Sequence, residues 1–316
     1  MTVVLVHGNP ETDAVWGPLV AALSRSGVLH GDDVVLLSPP GFGAPVPPGW
    51  GATVDEYRLW LVGELEALGE PVDLVGHDWG GGHVANVAMT RPDLLRSWCS
   101  DVLGIFEPDY VWHDLAQVWQ TPGAGEEAVA AMVADPATLA AGLAVRGVTP
   151  EVAEEMAWSW TDDMARCVLA LYRDAAQPAM ARLGEHLPAA AARPGLAIQA
   201  VDDHFVGTDD MRRRAAERAG ARVAVLDRLG HWWMLQDPVR GAAALTEFWA
   251  SLRSRRYPTR SRTFTTPAAC RAGAGGRSPQ RGRRPRAGRL RGRRRRQAHR
   301  QWLERARAGA RRGGHG

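Results

Sequence analysis

Short apolar runs alternate with longer stretches of helical period along the first 250 residues of this chain. The runs are rich in Val, Leu and Ile, as the buried strands of a parallel sheet are. Between them, apolar residues recur three and four positions apart, as they do on helices that face a core. The alternation predicts an α/β domain in which crossover helices connect mostly parallel strands and flank the sheet.

The same pattern places the individual elements. Strands are expected at residues 2–6, 34–38, 72–75, 95–100, 196–200 and 221–226. Core-facing helices are expected at residues 14–25, 54–68, 80–90, 209–219 and 239–252.

One interval breaks this alternation. Residues 107–192 contain no convincing strand, but they carry helical patches rich in Ala, Met and Trp at 150–161 and 163–174. The interval falls between two predicted strands, and open α/β sheets bind ligands beyond the carboxyl ends of their strands. We therefore expect a helical cap over that edge, inserted between a first core segment, 1–106, and a second core segment, 193–253.

Charge divides the chain into an acidic part and a basic tail. Residues 1–250 carry 16 Arg and 34 acidic residues, whereas residues 251–316 carry 22 Arg and the single acid Glu304. From residue 254 to 316 the sequence is rich in Arg and Gly and lacks apolar periodicity, so it is predicted to be disordered. The charge suits nucleic-acid binding. The alternative is a read-through or frameshift extension of a GC-rich gene, because the chain contains no Lys.

Composition and motifs exclude several classes of protein. With 45% hydrophobic residues and 13 Trp, the chain is not a disordered protein. Its three Cys match no metal or disulfide spacing, and no nucleotide fingerprint is present. The first apolar run is too short for a signal peptide or a membrane span. We expect a cytoplasmic monomer or homodimer with no membrane contact, no metal and no other cofactor.

The most specific motif is VDLVGHDWGG at residues 72–81, in which a predicted strand runs into Gly-x-Asp-x-Gly and then a helix. Small residues on both sides permit the sharp turn of a nucleophile elbow, which presents its central side chain at a helix N-terminus. Asp78 is that central residue. The alternative is a Gly-rich turn in which Asp78 only caps the helix.

Two further motifs favour the elbow. The first, LVHGNP at residues 5–10, exposes backbone beside it, so the N–H groups of Asn9 and Trp79 are expected to form an oxyanion hole. The second places His231 after the last predicted strand and Asp203 after the strand before it. This arrangement fits a general base and the carboxylate that orients it.

Other acids compete with Asp203 for that role. Asp202 is the main rival, and Asp101 and Glu107, which follow an earlier strand, are more remote candidates.

Taken in chain order, these motifs resemble the α/β-hydrolase fold family, in the branch with an Asp nucleophile that includes epoxide hydrolases and haloalkane or fluoroacetate dehalogenases. The resemblance covers roughly residues 1–252. It implies that Asp78 attacks an sp³ carbon to give an alkyl ester, which a water activated by His231 then hydrolyses. It also implies a small apolar electrophilic substrate and no cofactor.

The leaving group separates the two activities. An epoxide oxygen needs a proton donor. Tyr172-Arg173 resembles the Tyr-Arg pair in the cap of epoxide hydrolases, and Tyr110 is a weaker match. Each Tyr is alternatively an amphipathic packing residue of the cap helices.

A halide needs N–H donors instead. Asn9 with Trp79 resembles the halide-binding pair of haloalkane dehalogenases, although epoxide hydrolases share the Trp. Trp112-His113 resembles the His-Trp pair of fluoroacetate dehalogenases in reverse order. We expect an epoxide hydrolase, and the alternative is a haloalkane or haloacid dehalogenase. A remote alternative is an inactive scaffold whose tail binds nucleic acid.

Overall fold

The structure is a computed structural model that describes residues 1–29 and 33–256, with side chains as far as residue 253. The Arg-rich segment predicted from residue 254 onward lies outside the described residues, apart from the backbone of 254–256. Both interpretations of that segment, nucleic-acid binding and a read-through or frameshift extension, therefore stay predictions.

A parallel sheet of six strands forms the centre of the described part of the chain. The strands are β1 (Val3–Val6), β2 (Val34–Leu37), β3 (Val72–Gly76), β4 (Leu95–Ser100), β5 (Gly195–Ala200) and β6 (Ala221–Leu226). Their order in the sheet is β2-β1-β3-β4-β5-β6, and every neighbouring pair is parallel. The predicted α/β class and the predicted parallel sheet are confirmed.

The strand order reverses between β1 and β3. In open α/β sheets such a reversal leaves a crevice at the carboxyl ends of the two strands, where ligands bind. Val6 at the end of β1 is paired with Gly76 at the end of β3. The loops that follow these two strands, residues 7–10 and 77–78, therefore lie side by side.

Both faces of the sheet are covered, and β1 shows why its residues are all apolar. Val4 and Val6 pack into one hydrophobic cluster, whereas Val3 and Leu5 pack into the cluster on the opposite face. All four side chains are fully buried. A strand buried on both faces has no polar alternation, which explains the continuous apolar run in the sequence.

Twelve α-helices occur among the described residues. They are α1 (Gly17–Arg25), α2 (Val54–Leu68), α3 (Trp79–Thr90), α4 (Asp114–Gln120), α5 (Ala124–Ala134), α6 (Pro136–Val145), α7 (Pro150–Trp158), α8 (Asp162–Asp174), α9 (Ala179–Gly184), α10 (Asp209–Arg218), α11 (Trp233–Gln236) and α12 (Pro238–Arg256). Helix α12 continues to Arg256, past the limit of 253 that the sequence predicts for the second core segment.

Local signals explain where the helices begin and end. Thr53 and Glu56 form a reciprocal capping box at the start of α2, and Gly69 ends that helix in the left-handed conformation with φ of 73°. Helix α3, which directly follows Asp78, is buried from Trp79 to Met89. Its small residues, Gly and Ala, allow the sheet and α2 to approach it closely.

Helices α4 to α9 connect β4 to β5, and we call residues 107–192 the cap. In α8, Met164, Val168, Leu171 and Tyr172 recur three and four positions apart and are all buried. This spacing places Tyr172 on the inner face of its helix. Among the described residues, no single helix is long and apolar enough to cross a membrane, although the bent pair α5 and α6 meets these criteria together.

Candidate active site

Asp78 occupies the sharp turn between β3 and α3 in a left-handed backbone conformation, with φ of 50° and ψ of −129°. A non-glycine residue adopts such a conformation only where the surrounding structure holds it. The two flanking glycines permit the turn. A Cβ atom on Gly76 would overlap the Gly80 carbonyl, and one on Gly80 would overlap the carbonyl oxygens of Val6 and His7. The geometry is that of the predicted nucleophile elbow.

The two carboxylate oxygens of Asp78 have different partners. The backbone N–H of Asn9 donates to Oδ1 at 2.8 Å, and Nε2 of His231 lies 3.5 Å from Oδ2. Burial alone would raise the pKa of Asp78, but the hydrogen bond and the charge of His231 outweigh it and lower the pKa to about 2. Asp78 is therefore a carboxylate at neutral pH.

Asp203 holds the other side of the His231 ring. Its Oδ2 lies 2.9 Å from Nδ1 of His231, and both residues are buried. Burial would lower the pKa of His231, but the carboxylates of Asp203 and Asp78 raise it well above its ordinary value. The structure thus brings Asp78, His231 and Asp203 together, and the ring of His231 lies between the two carboxylates.

The three rival acids lie elsewhere. Asp202 is exposed, and its backbone N–H donates to Leu229. Glu107 binds the guanidinium groups of Arg214 and Arg218. Asp101 is buried close to the site, but His77 and not His231 is its ionic partner. Within the described residues, only Asp203 among these four acids contacts His231.

A buried charge network lies beneath Asp78, and sequence reasoning missed it. His77 contacts Asp101 through Nδ1 at 2.6 Å and Glu11 through Nε2 at 3.1 Å. Trp232 donates to Glu11 at 2.6 Å, and Trp233 donates to Asp101 at 2.8 Å. The available signal was a charged residue beside each predicted motif, since Glu11 follows Asn9-Pro10 and His77 precedes Asp78.

This network does not suit a metal ion. Glu11, His77 and His231 place their ligand atoms within 4.8 Å of one another. Metal ligation requires neutral imidazoles, whereas the pKa of both histidines is raised here by neighbouring carboxylates. We therefore assign no metal to this cluster.

Two cavities reach Asp78. The larger has a volume of about 670 Å³, runs between the core and the cap, and touches Asn9, His231, Tyr172 and His113. Its remaining walls are largely apolar, and they include Leu115, Trp119, Met132, Leu139, Leu143, Trp160 and Phe205. The smaller, of about 20 Å³, has room for about one water molecule beside Asp78 and Trp79.

Tyr172 lines both cavities together with Asp78. Its ring packs edge-on against Trp79, with centroids 5.4 Å apart. Burial and the charge of Asp78 raise the pKa of its hydroxyl well above the ordinary value. Arg173, its predicted partner, instead points outward and binds Glu126 through two hydrogen bonds of 2.8 Å.

The hydroxyl of Tyr110 has another partner in this structure. Its ring lines the smaller cavity, but its hydroxyl donates to the backbone carbonyl of Phe205 at 2.6 Å. A tyrosine has one hydroxyl proton, so in this arrangement Tyr110 has none to give to a leaving group. The predicted role of Tyr110 in leaving-group stabilisation does not fit this contact.

Asn9 and Trp79 both lie beside Asp78, and their oxyanion and leaving-group roles stay predictions. The N–H of Asn9 binds Asp78, and Trp79 is the first residue of α3, so its N–H has no partner within the helix. The side-chain amide of Asn9 has both polar atoms buried and unpaired within the described residues.

His113, like Tyr172, is a neutral hydrogen-bond donor that lines the cavities at Asp78. Its Nδ1 accepts the N–H of Ala116 at 3.2 Å and so caps α4, which leaves the proton of the neutral ring on Nε2. Burial lowers the pKa of His113 and favours this neutral form. The residue lines both cavities. Its neighbour Trp112 stacks on Trp79 with centroids 5.7 Å apart.

Comparison with known proteins supports the hydrolase fold. The model of the alpha/beta hydrolase family matches residues 3–245. Bifunctional epoxide hydrolase 2 of Rattus norvegicus is 31% identical over 104 residues, which cover 31% of this chain and 18% of that protein. An epoxide hydrolase of Caballeronia sordidicola is 30% identical over 98 residues, which cover 30% of this chain and 29% of that protein. The matches thus span less than a third of either relative.

Solved structures resemble the chain over a greater length. A loop variant of the haloalkane dehalogenase DbeA from Bradyrhizobium elkanii superposes with a TM-score of 0.61 at 20% identity, covering 81% of this chain and 91% of that one. The enol-lactonase from Burkholderia xenovorans LB400 gives a TM-score of 0.59 at 20% identity, covering 78% and 90%. Because proteins named for different reactions share this fold, the fold does not select the reaction.

Proposed function

Because this chain belongs to the alpha/beta hydrolase family, we propose that it hydrolyses an electrophilic sp³ carbon compound, foremost an epoxide, through a covalent ester of Asp78. One observation carries the proposal. The Asn9 N–H binds one oxygen of Asp78, while the other oxygen faces His231, which Asp203 holds from behind. A carboxylate in this position serves as a nucleophile, and the His-Asp pair serves the hydrolysis of its ester.

In the first step, Oδ2 of Asp78 attacks a ring carbon of the epoxide. A carbon–oxygen ester bond forms, and the ring carbon–oxygen bond breaks. The alkoxide that leaves takes the hydroxyl proton of Tyr172, which becomes a phenolate. The raised pKa of Tyr172 keeps its hydroxyl protonated in the free enzyme, so the residue has a proton to give.

Ester formation also prepares the base. The charge of Asp78 contributes to the raised pKa of His231, and the neutral ester removes that contribution. The pKa of His231 therefore falls in the intermediate, and the ring releases its proton to solvent. This neutral ring can accept a proton from water, whereas the charged ring of the free enzyme cannot.

In the second step, a water molecule gives a proton to His231 and attacks the ester carbonyl carbon of Asp78. The N–H groups of Asn9 and Trp79 are placed to stabilise the oxyanion. The intermediate collapses, and the departing alcohol oxygen takes the proton from His231. The proton of the regenerated carboxyl group returns through solvent to the Tyr172 phenolate, and His231 takes back from solvent the proton that it released. The net reaction therefore adds one water to the epoxide.

Tyr172 favours an epoxide over a halide. It lines both cavities at Asp78, and its hydroxyl keeps its proton because burial and the charge of Asp78 raise its pKa. The apolar walls of the larger cavity suit a small apolar epoxide.

The side chain of Asn9 supports the second candidate, a dehalogenase that uses the same nucleophile. Its amide N–H groups are buried and unpaired beside Asp78, and a buried donor without a partner is costly. A halide leaving group would satisfy it.

Two substrates separate the candidates. The full chain is incubated with styrene oxide and, separately, with 1-bromobutane, and the diol and free bromide are measured. Diol formation supports the epoxide hydrolase, and bromide release supports the dehalogenase. An enzyme that is folded but forms neither product contradicts both.

The covalent route is tested by two variants with a nearby control. We expect Asp78→Asn to abolish turnover and His231→Gln to accumulate an ester on Asp78, detected as the added mass of the substrate on the peptide that contains Asp78. Asp202→Asn, an exposed neighbour of Asp203, should turn over normally. In oxygen-18 water, a single turnover should label Asp78 and leave the product unlabelled. Label in the product instead would exclude the ester.

A further inference from the structure

Tyr110 begins a chain of contacts that ends at the nucleophile. Its hydroxyl donates to the carbonyl oxygen of Phe205 at 2.6 Å, and the N–H of Phe205 donates to Oδ1 of Asp203 at 2.9 Å. The other oxygen of Asp203 lies 2.9 Å from His231, which faces Asp78. Asp203 thus has one oxygen on the ring of His231 and the other on the backbone of Phe205.

Phe205 is held at both ends of its backbone and also by its ring. Two hydrogen bonds hold its backbone. The centroid of its ring lies 5.1 Å from that of His231 and 5.2 Å from that of His113. A shift of Phe205 would therefore move the N–H that orients Asp203 and the wall that packs on His231. Tyr110 supplies the hydroxyl that fixes the carbonyl side of this residue.

Tyr110 is itself held by other residues of the cap. The side chain of Gln177 reaches the carbonyl oxygens of Tyr110 and Glu107, at 3.4 Å each. The Tyr110 ring packs edge-on against Trp112, with centroids 5.1 Å apart. The hydroxyl therefore connects the first residues of the cap to the loop that carries Asp203. The two bonded residues, Tyr110 and Phe205, are 95 positions apart in the chain.

We propose that Tyr110 is a positioning residue that holds Asp203 and His231 in register through Phe205, and that it serves hydrolysis of the Asp78 ester rather than its formation. The inference rests on the proposed function for its kinetic part. Asp78 can attack the substrate without His231, whereas activation of water requires an oriented His231. Loss of the hydroxyl should therefore affect the two steps unequally.

The test compares Tyr110→Phe with Tyr57→Phe. Tyr57 is a matched control, because it is equally buried and its hydroxyl also donates to a backbone carbonyl, that of Pro40 at 2.9 Å. Ester formation and ester decay are followed by rapid quench and mass spectrometry, with whichever of styrene oxide and 1-bromobutane the enzyme turns over. We expect Tyr110→Phe to slow decay about tenfold, as loss of one orienting hydrogen bond would, and to leave formation within about twofold.

Other kinetic outcomes overturn the proposal. Slower formation with normal decay would make Tyr110 a proton donor, and equal slowing of both steps would indicate a general distortion of the site. Unchanged kinetics, or the same effect in Tyr57→Phe, would also contradict it.

A second measurement does not depend on turnover. The pKa of His231 is measured by nitrogen-15 NMR of the imidazole in the wild type and in Tyr110→Phe. Asp78, Glu11, His77 and His113 also face this ring and are unchanged by the substitution. If Asp203 is displaced, the pKa of His231 should fall, and an unchanged pKa contradicts the positioning role. If the wild type forms no ester, the proposed function is refuted. The change in the pKa of His231 then decides the positioning role of Tyr110 by itself.

Discussion

His77 is bound to Asp101 through Nδ1 and Oδ2 at 2.6 Å, directly behind the turn that carries Asp78. The second oxygen of Asp101 accepts the N–H of Asp78 at 3.1 Å, so this carboxylate joins the imidazole of His77 to the backbone of Asp78. Burial would lower the pKa of His77, but the charges of Glu11 and Asp101 raise it to about 10. A buried imidazolium between two carboxylates therefore supports the strained turn at neutral pH.

The first prediction concerns stability at alkaline pH. The pKa of His77 is about 10 in the folded protein against 6.5 for an ordinary histidine, so the folded state binds more protons between these values. Its contribution to the free energy of unfolding is fully present below pH 6.5 and is lost as pH rises through 10. We expect urea unfolding to show a smaller pH-dependent loss in His77→Gln than in the wild type.

The control for this comparison is His231→Gln. The pKa of His231 is also raised, so its contribution has the same sign and must be measured separately. If the free energy of unfolding changes with pH by the same amount in the wild type and in His77→Gln, His77 is not charged in the folded protein.

The second prediction tests the choice of acid between two adjacent residues. Asp203→Asn removes the charge that orients His231 and should lower the rate of ester hydrolysis by about 10³-fold to 10⁴-fold. Asp202→Asn changes an exposed side chain and should retain wild-type activity. Steady-state turnover of both variants is the measurement. A large loss in Asp202→Asn with normal Asp203→Asn would reverse the assignment.

The predictability of these features depends on how far apart their parts lie in the sequence. The strands and Asp78 could be predicted because a buried strand and a sharp turn leave local signals, a run of apolar residues and a pair of glycines. The contact between Tyr110 and Phe205 leaves no local signal, because it joins residues 95 positions apart. The sequence therefore placed Tyr110 near the site but could not show that its hydroxyl binds Phe205.

The buried network shows the same limit. Glu11 and His77 are 66 residues apart. Each lies beside a motif whose predicted role does not depend on that residue. Their pairing follows from the strand order, since the loops after β1 and β3 become neighbours only once those strands pair.

The third prediction distinguishes the two leaving groups at Tyr172. If its hydroxyl protonates the epoxide oxygen, Tyr172→Phe should lower diol formation from styrene oxide by about 10²-fold to 10⁴-fold, the usual contribution of a general acid. Bromide needs no proton, so any release of bromide from 1-bromobutane should change by much less. Equal losses with both substrates would indicate that the hydroxyl serves a step common to both reactions and does not protonate the leaving oxygen, because Phe retains the ring.

The last prediction concerns the backbone of the elbow. A Cβ atom on Gly80 would overlap the carbonyl oxygens of Val6 and His7 at the end of β1, and neither backbone group can move without disturbing the central strand. Gly80→Ala should therefore lower the free energy of unfolding by about 3 kcal/mol or more. Gly17→Ala is the control, because Gly17 begins α1 in helical conformation and a Cβ there meets nothing within 4 Å. It should be neutral or stabilise by up to about 1 kcal/mol. Urea denaturation followed by circular dichroism measures both, and equal stability of the two variants would show that the elbow is less tightly packed than this geometry requires.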